Sequence, residues 1–402
     1  MPQRYQGASG NFKTESINSG LANSFPKPRL DPVSNLVIAE SPPRAWVEIN
    51  LQNLRHNLQI VRDISGCAVM AVVKAGAYGH GLETISKVLE KSGADFLGVA
   101  NIGEARRIRN SGVKTPIYLL GATWEPEREE IIARGITPCI SSISEAESFH
   151  NIAKRQGVTL SVHLAVDTGM GRGGFLPSDL SDSMLHLSQF DALKIEGIAS
   201  HLSSSDEDES VTKQQFEIFS QAVESLGGSE NFKWRHLSNS GGILGYANIC
   251  CNLVRPGLML YGVSPIPKFS SMLRTVMSLK SRVTIVRTVP AGHGISYGRT
   301  YVTKKPTRIA TVGIGYGDGY PRHLSGKNAE VFIDDKRYPV IGRVTMDQII
   351  VELPDDSNVK SGDEVELFGP NIPAEEIAAL AETITWELFT GITPRVERIY
   401  LE

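Results

Sequence analysis

Between Cys67 and about Thr275 the chain alternates short apolar runs with amphipathic stretches. The runs are Ala68–Lys74, Phe96–Ala100, Pro116–Leu120, Thr137–Ser141, Leu160–Asp167, Ile195–His201, Arg235–Asn239 and Leu253–Gly257. They are continuous rather than alternating, the pattern of parallel strands buried on both faces. Stretches such as Gly81–Lys91 and Ser142–Lys154 carry helical periodicity between them. Eight such units in roughly 200 residues predict a TIM-like (β/α)8 barrel, with a doubly wound open sheet as the competing architecture. Beyond Thr275 the pattern changes. Val283–Val289, Arg308–Ile314, Ala329–Ile333, Tyr338–Val344, Gln348–Leu353 and Glu364–Phe368 read as strands separated by turn residues, and only Ala374–Thr383 reads as helix. A mainly β C-terminal domain is expected there. The opening strand Ala45–Asn50 can pair with either domain.

The first 43 residues are rich in Ser, Asn, Gly and Pro and lack both a hydrophobic period and the apolar core of a secretory signal. A disordered extension is therefore expected over 1–43, the barrel over 44–275 and the β domain over 276–402. The α/β chain is 41% apolar and 21% charged with a net charge of -3, which leaves no basic footprint for nucleic acid. No apolar stretch reaches the ~20 residues of a membrane span. Four sparse cysteines lack metal-site spacing, so no metal is expected, and they read as reduced thiols in a cytoplasmic protein.

Active sites of such barrels lie at the C-terminal strand ends. Lys74 ends the first strand, within Ala71-Val-Val-Lys-Ala-Gly-Ala-Tyr-Gly-His-Gly81. A lysine there is either a Schiff-base amine activated by burial or a side chain snorkelling to the rim. The fifth strand leads into Asp167-Thr-Gly-Met-Gly-Arg172, where Arg172 can clamp an anion or simply solvate the rim. His201 ends the sixth strand and either stacks on a planar ring or is a hydrogen-bonded core histidine. Ser240 and the amides at Gly257 lie after strands seven and eight, where barrels often hold phosphate; a helix cap and a plain turn are the alternatives. Arg255, inside a barrel strand, needs a partner because its charge cannot be titrated away, and His236 is a candidate neighbour. In the second domain Tyr297, Tyr316, Met346 and Asp347 sit beside glycine turns.

Taken together, these segments resemble the alanine racemase family. The lysine segment, Asp167–Arg172, Ser238-Asn-Ser240, Val254-Arg-Pro-Gly257, Ser296-Tyr-Gly298, Gly315–Arg322 and Arg343-Val-Thr-Met-Asp347 occur in the family's order, and the likeness runs from about Ala45 to the C-terminus. The resemblance implies a homodimeric enzyme, dependent on pyridoxal 5'-phosphate (PLP), that interconverts L- and D-alanine by two-base proton transfer and supplies D-alanine for peptidoglycan. Lys74 would bind PLP covalently and Tyr297 of the second chain would be the opposing base. Arg255 would meet the pyridine nitrogen, His201 the ring face and Arg172 the ring hydroxyl. Tyr78, Ser240 and the backbone of Gly257 and Leu258 would hold the phosphate, while Tyr316 and Met346 would border the substrate with Arg172. Four positions depart from the family pattern. Ala165 replaces a lysine that many members carry in carbamylated form, Gly76 an asparagine or aspartate, Thr345 a cysteine, and Pro394 a tyrosine found in some members. The competing functions are a broader amino-acid racemase, a non-catalytic PLP-binding protein and an amino-acid decarboxylase.

Overall fold

The structure, a computed structural model, describes residues 41–246 and 251–402; Cys250 and nearly all of the expected extension over 1–43 lie outside the described residues. Strand β1 (Ala45–Asn50) runs directly into the helix Leu51–Ser65, whose first turn is capped by Asn50 accepting from the Asn53 amide at 2.9 Å. The barrel strands follow: β2 (Ala68–Val72), β3 (Phe96–Val99), β4 (Ile117–Leu119), β5 (Cys139–Ile140), β6 (Leu160–Ala165), β7 (Leu193–Ala199), β8 (Trp234–His236) and β9 (Leu253–Val254). They form two parallel arcs, β4-β3-β2-β9 and β5-β6-β7-β8. Tyr118 and Thr137 bridge the arcs on one side. On the other, the Asn252 amide donates to the Arg235 carbonyl at 3.1 Å and the Arg255 amide to the Ser238 carbonyl at 2.9 Å. Amphipathic helices such as Leu82–Lys91 and Ile143–Gln156 cover the outside through their buried apolar faces.

All eight expected barrel strands are present, but their ends are shorter than the apolar runs. Lys74, His201, Asn239 and Gly257 fall past the last ladder residues.

The C-terminal region contains β10 (Met277–Val289), β11 (Gly294–Ile295), β12 (Tyr301–Val302), β13 (Thr307–Val312), β14 (Glu330–Ile333), β15 (Lys336–Ile341), β16 (Ile349–Leu353), β17 (Glu364–Phe368) and β18 (Glu397–Leu401). The order β13-β16-β15-β14-β17-β10 closes on itself because β10 also pairs with β13. β1 joins this sheet, antiparallel to β10 and parallel to β18. One expectation is corrected here. Ala374–Leu380 is helical as anticipated, but a second helix, Thr385–Thr390, follows it after Glu382 reverses the chain at a φ of 58°. Leu388 and Phe389 anchor that helix in the core.

Candidate active site

The strand-end residues converge on one cavity of about 810 Å³ at the C-terminal rim of the barrel. Lys74, Tyr78, Arg172 and His201 line it, as do Ser240, Arg255, Gly257 and Leu258. Trp386 and Thr390 close it from the helix Thr385–Thr390 of the β domain. The sequence reading missed these two, which sit in a six-residue helix with no charged motif of the kind that marks the other lining residues.

Lys74 leaves β2 into an unusual turn. Ala75, Gly76 and Ala77 have φ/ψ of 53/47°, 65/37° and 57/51°, and Tyr78 has a φ of 52°. A left-handed backbone costs a non-glycine residue roughly 1–2 kcal/mol, so Ala75, Ala77 and Tyr78 are held there by their surroundings. Gly76 takes that conformation without a Cβ penalty, which is what the position asks for in place of asparagine or aspartate. Burial, with Arg172 and Arg255 nearby, holds the Lys74 amine below the usual lysine range, while Glu104 acts in the opposite direction.

Arg255 is buried and, among the described residues, meets no carboxylate in its hydrogen bonds. Its NH1 donates to the His236 carbonyl at 2.8 Å and to His236 Nδ1 at 2.7 Å. Its NH2 donates to the Ser200 carbonyl at 2.6 Å and to His201 Nδ1 at 3.0 Å. Because a guanidinium only donates, both imidazoles must present unprotonated Nδ1, which assigns the Nε2–H tautomer to each. His236 Nε2 then donates to His163 Nδ1 at 2.8 Å. Burial and the Arg255 charge push His201 down to about 3, so it stays neutral beside the cation. With NH1 and NH2 committed to the protein, Nε–H is the guanidinium donor left for a ligand.

Another part of the lining suits an anion. Ser240 Oγ accepts from the Gly257 amide at 3.1 Å and the Met259 amide at 3.3 Å. Both lone pairs are used, so its O–H is left to donate. The helix cap is instead Asn239, whose side chain accepts from the Gly242 amide at 3.0 Å. Tyr78 stacks on Tyr261 with centroids 4.9 Å apart, and burial pushes its phenol up to about 12, keeping it a donor. A Cβ on Gly257 would fall 2.6 Å from the Tyr78 hydroxyl, so only glycine lets the two walls approach. A serine hydroxyl and a phenol beside the Gly257–Leu258 backbone, with a spare guanidinium N–H and a neutral imidazole in the same lining, fit a planar phosphorylated pyridine.

The loop carrying Arg172 is tied by Asp167 Oδ1, which accepts from the amides of Gly169, Met170 and Gly171 at 3.0, 2.9 and 3.0 Å. Ala165 also lines the cavity and packs against the cluster that includes Tyr118 and Cys139.

Tyr297, Tyr316 and Met346 do not line this cavity. They are 72%, 40% and 52% exposed on the β domain. Tyr297 tops the β11–β12 hairpin, whose turn is held by Ser296 donating to the Arg343 carbonyl at 2.7 Å. The Tyr316 and Met346 loops are zipped by amide bonds from Tyr316 to Thr345 O and from Gly317 to Met346 O, at 3.0 and 2.8 Å. Thr345 closes the Met346 turn by donating to the Gln348 carbonyl at 2.7 Å, a bond its hydroxyl provides where the family often has cysteine. Pro394 is exposed and lies outside the cavity lining.

A barrel rim with this donor set, closed by a β domain, defines a PLP-dependent enzyme. The comparisons make the assignment narrower. Residues 49–265 match the model of the alanine racemase N-terminal domain and residues 276–400 that of the alanine racemase C-terminal domain. The chain is 38% identical over 366 residues to the alanine racemase of Methylacidiphilum infernorum, covering 89% of this chain and 93% of that one. Among solved structures, an alanine racemase of Clostridium difficile superposes with a TM-score of 0.85 at 36% identity, over 90% of this chain and 97% of the other. One from Bartonella henselae, with covalently bound pyridoxal phosphate, gives 0.83 at 30% identity, over 90% and 100%. The chain belongs to the alanine racemase family.

Proposed function

We propose that this protein interconverts L- and D-alanine with PLP carried on Lys74. The observation that carries the reading is the donor set around one cavity: a half-buried amine, the Ser240–Gly257–Tyr78 cradle and the carboxylate-free Arg255. When bound, PLP supplies an electron sink that acidifies the α-C–H of the attached amino acid. The residues do the rest. Lys74, its proton affinity lowered by burial and the two arginines, takes or returns the α-proton on one face. Arg255 would offer a non-titrating donor to the ring nitrogen and His201 would support the ring. Ser240, Tyr78 and the Gly257 and Leu258 backbone hold the phosphate. Arg172 approaches the ring hydroxyl and the substrate carboxylate.

Inversion needs a second acid–base group on the opposite face. We assign it to Tyr297 of a second copy, with Tyr316 and Met346 bordering the substrate, so that the working unit is a homodimer with shared sites. Their exposure on tied loops outside the cavity of their own chain supports this. We also read the two strand arcs as one closed (β/α)8 barrel over 44–275, followed by the β domain over 276–402. Supply of D-alanine for peptidoglycan, in the cytoplasm, belongs to the same reading.

The direct test is chiral chromatography of purified protein incubated with PLP and either alanine enantiomer in D2O. Equal final amounts of both enantiomers with α-deuterium are expected, and Lys74→Ala should abolish them. Deuterium exchange without inversion would overturn the two-base reading. Running serine and lysine alongside alanine measures whether the cavity beside Ala165 admits larger side chains.

A further inference from the structure

The left-handed turn after Lys74 is held from two sides. On one side the helix Thr385–Thr390 presses on it so closely that a Cβ on Gly79 would sit 2.2 Å from the Phe389 carbonyl oxygen. On the other stands Glu104, in the first turn of the helix Ile102–Asn110 that follows β3. Its Oε2 accepts from the Ala100 amide at 3.0 Å, and Asn101 caps the same helix by accepting from the Glu104 amide at 3.0 Å. That much is ordinary helix-start chemistry. Its other oxygen is not: Oε1 accepts from the Gly76 amide at 3.1 Å, twenty-eight residues away, inside the strained turn. A helix start has no use for that bond. Glu104 does not line the cavity, so it acts only through other groups.

We infer that Glu104 is a positioning residue for Lys74, pinning the left-handed turn through the Gly76 amide. The inference rests on the reading of Lys74 as the PLP lysine. The same carboxylate also balances charge. The amine is faced by Arg172 from the loop after β6, by Arg255 from the end of β9 and by neutral His201, with Tyr78 in the same cavity lining. Glu104 is the group that opposes the two arginines and burial. One carboxylate thus fixes where the amine points and keeps its proton affinity from falling further.

The test uses full-length apo-protein, PLP and borohydride trapping, with the labelled peptide identified by mass spectrometry. Glu104→Gln removes the charge and leaves an amide NH2 facing one of the two backbone N–H groups. It should raise the PLP dissociation constant about tenfold or more. It should also move the midpoint of the pH–trapping-rate profile to lower pH. Glu104→Asp keeps the charge but is too short to reach both amides, so it should weaken PLP binding while leaving the midpoint near that of the parent. A helix-start role alone would lower the melting temperature in both variants and move neither the dissociation constant nor the midpoint, which would overturn the inference. Trapping on a lysine other than Lys74 would instead overturn the underlying reading.

Discussion

At Gly257 a single hydrogen atom separates an anion cradle from a clash. The Tyr78 hydroxyl lies 2.6 Å from where a Cβ would stand, and Tyr78 cannot swing away because its ring is stacked on Tyr261. Tyr261 is itself fixed by donating to the Val72 carbonyl at 2.9 Å. Gly257→Ala should therefore overpack the cradle, a cost of about 1–3 kcal/mol, and weaken PLP binding by roughly ten- to a hundredfold. Spectroscopic titration of the apo-protein with PLP measures it; an unchanged affinity would show that Tyr78 and Gly257 do not share a ligand. The same scale explains the departures from the family pattern. Gly76 sits at a φ of 65°, where its missing Cβ is an advantage, and Thr345 uses its hydroxyl to close a turn. Ala165 leaves room in the cavity wall where a lysine side chain is common.

Strands β6 and β8 bring His163 and His236 into the barrel interior, an arrangement with a pH signature. Burial pushes His163, and likewise His80 under the β domain, down to about 4. The unfolded chain binds those protons near pH 6.5. Folded values below unfolded ones mean the unfolded state holds more protons between about pH 4 and 6.5, so stability is full above that window and falls as pH drops through it. Each of the two should cost about 2 kcal/mol by pH 5. Urea midpoints at pH 7.5 and pH 5 should differ accordingly, and His163→Gln should reduce the difference; equal midpoints would contradict it. Element by element, β2, β3 and β4 were legible because nearly every position is buried, whereas β7 carries Lys194 and Glu196 and β8 carries Arg235, so their runs are broken. The partner of β1 was not, because its neighbour β18 pairs Glu397 with Trp46, 351 residues away, and no local pattern encodes that pairing. The helix Thr385–Thr390 escaped because one and a half turns give no period to read. It took Trp386 and Thr390 with it. Lys74 and Arg255 stand out in the sequence as charges at the end of or inside apolar strands, while His201, Ser240 and Gly257 read equally as ordinary core, cap and turn residues. Glu104 reads as any first-turn glutamate, and its bond to the Gly76 amide joins positions that no local pattern links.

At the scale of the whole molecule, the amine and the phenol to which the proposed function assigns inversion stand on different domains. Lys74 lines the barrel cavity, while Tyr297 is 72% exposed on a hairpin tip that does not reach that lining. A site completed by a second copy uses Lys74 of one chain and Tyr297 of the other. Lys74→Ala and Tyr297→Phe proteins should then each be nearly inactive, because every site lacks one base. Mixing them under conditions that exchange subunits produces heterodimers. One site of each heterodimer inherits both substitutions and is dead. The other combines intact Lys74 from the tyrosine variant with intact Tyr297 from the lysine variant, and should racemise alanine. With random exchange half of the dimers are mixed and carry one working site each, so the mixture should recover roughly a quarter of the parent activity per site. A site contained within one chain gives the opposite result, since every chain in the mixture is defective. Mass spectrometry of isotopically labelled subunits establishes that exchange has occurred. Exchange without recovered activity would refute the shared site and leave PLP binding at Lys74 standing.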